Sequence, residues 1–68
     1  MTKYRIGEII GICEVMDKNL DRIQKKLQEV IDDSQDVHVI SQLNEVNSSL
    51  DGLGVDIDTM ISRLKDLI

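Results

Sequence analysis

The sequence predicts an all-α fold: an antiparallel helical hairpin of two long coiled-coil helices, completed into a bundle by oligomerisation or by a partner. Three observations predict it. Apolar residues recur at alternating steps of three and four through both halves of the chain, the a/d spacing of a heptad seam. The two halves are out of phase across the polar run DDSQD at 32–36. The apolar inventory is Ile, Leu, Val and Met, with Tyr4 as the one aromatic and no proline, which suits helix–helix packing better than a sheet or an aromatic pocket.

The first element is a helix over 4–32. Ile6, Ile9, Cys13, Met16, Leu20, Ile23, Leu27 and Val30 form its seam. Gly7 and Gly11 fall at b and f, away from it. Cys13 sits at an a position with no histidine near it in sequence and no basic turn around it, so it reads as a small buried hydrophobe and not as a nucleophile. A single cysteine makes no internal disulfide, and nothing points to an oxidising compartment. The stretch RIGEIIGIC has the basic flank of a signal peptide, yet Glu8 interrupts it and no small-residue cleavage site follows. Neither half carries an apolar run long enough to span a membrane. The expected location is therefore intracellular, in the cytoplasm.

The second element is a turn at 33–36. Continuing the first seam by one heptad would reach Ser34 and Val37, whereas the second seam passes through Val39. Two residues correspond to about 200° around a helix. One straight rod would carry its stripes on nearly opposite sides, so the chain is expected to reverse here, with Ser34 or Asp36 as the N-cap of the next helix. Asp32, Asp33 and Asp36 lack the loop length and glycine of a calcium-binding hand and read as a solvated turn. His38, the only histidine, has no cysteine beside it and decorates the start of the second helix. No metal site is expected.

The third element is a helix over 36–67, with a seam of Val39, Leu43, Val46, Leu50, Leu53, Ile57, Met60, Leu64 and Leu67. Gly52 and Gly54 fall at c and e. Each costs about 1 kcal/mol of helix propensity relative to alanine, a loss that burial along the seam can override. A weakened but continuous helix is expected. Two glycines this close also leave room for a hinge or for the close approach of another chain segment.

The functional expectation follows from size and from the absence of chemistry. Sixty-eight residues bury too little surface to be comfortably stable as a lone hairpin, so a second copy or a different protein partner is expected. Ile10, Ile12, Ile61 and Ile68 lie beside the seams and widen the apolar stripe at the open end of the hairpin. They are the expected partner-binding residues. On this reading Leu50→Asp unfolds the hairpin, while Ile61→Asp dissociates the assembly and spares more of the helix. The net charge of −5, with eight basic residues interspersed among thirteen acidic ones, argues against a nucleic acid or an anionic membrane as partner. There is no phosphate-binding glycine loop and no nucleophile triad. The expected function is a non-enzymatic protein–protein interaction module acting through coiled-coil helix faces, as a homo-oligomer or a subunit of a hetero-complex, with no cofactor and no catalytic residue.

Two resemblances bear on that expectation. The segment CEVMDKNLDRIQKKLQEVID, from Cys13 to Asp32, is similar without gaps to the C-terminal coiled-coil domain of the central-channel FG nucleoporin family. The shared pattern is Glu14, Asp17, Leu20, Arg22, Leu27, Val30, Ile31 and Asp32, followed by the pairs Leu43-Asn44 and Ser49-Leu50 at the family's spacing. About 40 residues are covered, Gly52 stands where that family has an aromatic, and no FG repeat is present. The resemblance implies a scaffold segment of the nuclear pore that assembles with partner coiled coils. VISQLNEV resembles the Ser-Gln-x-Leu-Asp signature of the sporulation-type aspartyl-phosphate phosphatases at Ser41 and Gln42, with Asn44 and Glu45 in place of its leucine and aspartate. Size and shape alone also fit a small helical chaperone of a bacterial secretion-system subunit.

Overall fold

A computed structural model describes residues 2–68, which form two long helices packed side by side, α1 (Thr2–Asp33) and α2 (Val37–Lys65). The hairpin measures 53 × 15 × 10 Å. Its length is close to the roughly 48 Å that 32 residues span at 1.5 Å each. Among the described residues there is no cis peptide bond and no residue with positive φ. α2 runs unbroken through Gly52 and Gly54, the continuous helix expected there.

The reversal occupies 34–36. Ser34 N donates to Ile31 O at 3.2 Å and closes the last turn of α1. Asp36 has an extended backbone (φ −88°, ψ 111°), and its Oδ1 accepts from His38 N at 2.9 Å and Val39 N at 3.4 Å. This satisfies two of the four N–H groups that any helix start leaves unpaired. Of the two N-cap candidates Asp36 takes the role, and Ser34 Oγ instead accepts from Asp36 N at 3.3 Å. At the other end Arg63 and Lys65 lie in the last turn of α2, where positive charge complements the helix dipole. α1 ends without a basic residue in its last turn.

The core is thin. Ile10, Cys13, Leu20, Ile31 and Ile57 are buried. Cys13, Leu20 and Ile57 form one cluster, with Leu50, Ile61 and Leu64 packed against it. Ile57, at 1% exposure, is the centre of the contact.

The register between the helices differs from the expected a/d seam and corrects half of it. The a column is as expected: Ile6, Cys13, Leu20 and Leu27 on α1, and Leu43, Leu50, Ile57 and Leu64 on α2, are all buried or half-buried. The second column in the interface is e. It consists of Ile10, Asp17, Gln24 and Ile31 on α1, and Ile40, Asn47, Gly54 and Ile61 on α2. The d residues Ile9, Met16, Ile23 and Val30, with Val39, Val46, Leu53, Met60 and Leu67, stay exposed. On a helix the e column lies about 40° to one side of a and the d column about 60° to the other, so a pair of helices can close on a with either neighbour. Three features favour e here. Gly54 lets Leu20 approach to where a Cβ would stand 3.2 Å from its Cδ2. Gln24 Nε2 reaches across to Asn47 Oδ1 at 3.2 Å and to Asp51 Oδ1. Ile10 with Ile61, and Ile31 with Ile40, are the apolar members of the e column toward the two ends.

Candidate interaction face

The exposed d columns of the two helices lie on the same side of the hairpin. Viewed down its own axis, each helix carries d on the same rotational side of its contact with the other. Reversing the direction of α2 reverses that sense in a common view, so both stripes turn to one face. The outcome is a two-stripe apolar surface. Ile9, Met16, Ile23 and Val30 run along α1, and Val39, Val46, Leu53 and Met60 along α2, with Leu67 beyond the helix end. Each is between 39% and 65% exposed. No charged residue belongs to either stripe.

The opposite face is acidic. Asp17 is half-buried on the e column, and its carboxyl is pushed above its ordinary value of 3.8 by partial desolvation, and then by the negative charges of Asp58 and Asp21. Three acids from both helices thus approach one another on this side. Gln24, Asn47 and Asp51 continue the same polar row. The hairpin has one face that water solvates well and one that it does not.

The residues expected to bind a partner divide between these environments. Ile10 is 7% exposed, inside the hairpin. Ile61 is half-buried against the core cluster. Both lie beside the a column, on e, as expected, and within the hairpin they pack toward the other helix, so their apolar surface is largely used by the fold. Ile12 and Ile68 are exposed at 60% and 54%. Ile12 borders the apolar stripe of α1, and an open groove there is lined by Glu8, Gly11, Ile12, Val15 and Met16. A second groove on α1 is lined by Arg22, Ile23, Lys26, Leu27 and Val30.

Groups capable of chemistry are dispersed. Cys13 is a free, buried thiol in the core. His38 is exposed. Among the described residues no three His, Cys, Asp or Glu side chains stand close enough to hold a metal ion. Ser41 and Glu45 line an open trough on α2 with Val37, Asn44 and Ser48, and Gln42 is exposed beside it. Sequence reasoning missed the interhelical roles of Asp17, Gln24 and Asn47, because it sought the seam in the most apolar columns. The hint was available in the e column, which carries isoleucine toward both ends of each helix.

Among the described residues no helix is long and apolar enough to cross a membrane. Comparison with protein-family models, with curated proteins and with solved structures gives no match.

Proposed function

We propose that the protein is a non-enzymatic interaction module that associates with other helices through its two-stripe apolar face. The observation that carries this reading is the placement of eight Ile, Leu, Val and Met side chains, each more than a third exposed, on one side of a hairpin whose other side is acidic. Contiguous apolar surface of this kind is costly to leave in water and marks association sites. The arrangement resembles half of a bundle, in which each helix packs against two neighbours and the hairpin supplies only one of them. The nucleoporin resemblance, which implies assembly with partner coiled coils, agrees in mode of action. An intracellular setting agrees with a single free thiol.

Site-specific photo-cross-linking in cells tests the reading. A photoreactive residue at Ile23 or Leu53 is expected to give discrete protein adducts, while one at Asp21 or Asp58, on the acidic side, gives few. Equal labelling from both faces, or none from either, would overturn it.

A further inference from the structure

We infer that the occupant of the apolar face is a second copy of this chain, packed face to face with its turn at the opposite end, so that two hairpins close one antiparallel four-helix bundle. The inference rests on the proposed interaction reading and names its partner. It stands on the register of the two stripes, on the area they offer and on the charges at their ends.

Register comes first. A twofold axis lying in the face and perpendicular to the helices sets α1 antiparallel to α1 of the second copy, and α2 antiparallel to α2. Such an axis closes both contacts only if the midpoints of the two stripes stand at one level. They lie within about one helical turn of each other. The α1 stripe, from Ile9 to Val30, is centred between Asn19 and Leu20. Leu20 packs against Gly54 across the hairpin, which sets that midpoint beside Leu53, one turn from the middle of the helical α2 stripe from Val39 to Met60, and Leu67 beyond the helix end extends that stripe on the far side. One axis then pairs Ile9 with Val30 of the second copy, Met16 with Ile23, Val46 with Met60, and Leu53 with its own counterpart. An isologous contact of this kind is self-complementary by construction.

The area is of the right order. Nine stripe side chains, each 39–65% exposed, offer on the order of several hundred Å² per copy, the scale of the ~800 Å² per partner of a stable specific interface. The charges agree. The same axis brings Arg5, which borders the α1 stripe, level with Asp33 of the second copy. Asp33 ends α1, where a negative charge opposes the helix dipole, and a basic group from the other copy relieves that. The acidic sides of both hairpins point outward, away from the contact.

The test uses the purified 68-residue chain in two measurements. Light scattering across a concentration series is expected to give twice the 7.7 kDa chain mass, and Ile23→Asp, at a site that is 50% exposed in the hairpin, is expected to weaken dimerisation at least about 100-fold while circular dichroism shows the helices retained at high concentration. Leu53→Cys in a Cys13→Ala background is expected to form an intermolecular disulfide on mild oxidation, because the axis sets Leu53 against itself. A dimer that fails to cross-link at 53 would overturn the opposed-turn arrangement. A helical monomer at every concentration would overturn the second copy as occupant. In that case photo-adducts from Ile23 with other proteins would still uphold the interaction reading, and their absence would remove both.

Discussion

Gly54 and Gly52 lie two residues apart in one helix and make opposite predictions. A Cβ at Gly52 meets nothing within 4 Å, whereas one at Gly54 stands 3.2 Å from Leu20 Cδ2. Leu20 is buried in the core cluster and has little room to yield. Gly52→Ala is therefore expected to raise stability by about 0.5–1 kcal/mol, the helix-propensity gain, and Gly54→Ala to gain clearly less or to lose. Urea unfolding of the two variants measures the difference, and equal gains would mean that Leu20 is not seated on Gly54. Asp17 offers a second prediction at this scale. Its carboxyl is raised above 3.8 by desolvation and by Asp58 and Asp21, so the folded state holds that proton more tightly than the unfolded chain does. Stability then falls as pH rises through the window above 3.8, where the folded state gives up the extra proton. Asp17→Asn is expected to raise the melting temperature at pH 7 and to leave it nearly unchanged at pH 3. A gain of equal size at both pH values would exclude the charge as its cause.

Within each element, caps and seam columns decide the outcome. Asp36 accepts from two N–H groups at the start of α2, and Asp36→Ala is expected to cost about 1 kcal/mol, with little further effect from Ser34→Ala on the helix itself. Leu50 and Ile61 both pack against the core cluster. A charge at either is expected to unfold the hairpin, with losses above about 3 kcal/mol, so Ile61→Asp does not separate folding from association as its sequence position suggests. The two helices, the reversal at 34–36 and the a column were legible in the sequence, because a strict seven-residue spacing and a phase change survive any choice of partner. The choice between d and e was not legible. It depends on Gly54 giving room to Leu20 and on Gln24 reaching Asn47, which are contacts between residues about 23 to 34 apart in sequence. The d columns are the more apolar, and apolarity reports that a surface is covered without saying by which helix.

For the whole molecule, the thin core sets the energetics of assembly. Among the described residues five side chains are buried within the hairpin, while a larger set of apolar side chains faces water on one side. Covering that face with a second copy couples association to folding, and stability then depends on protein concentration by mass action. A tenfold rise in concentration adds about 1.4 kcal/mol to a dimer, equivalent to roughly 3–6 °C in melting temperature for an assembly of this size. The wild-type chain is expected to show this slope. Ile23→Asp should flatten it and lower the melting temperature at high concentration, whereas Glu14→Lys, on the solvated side, should leave the slope intact. Differential scanning calorimetry at three concentrations measures both. A flat wild-type slope would mean that the hairpin core suffices by itself, and that the apolar face is held open for a different protein.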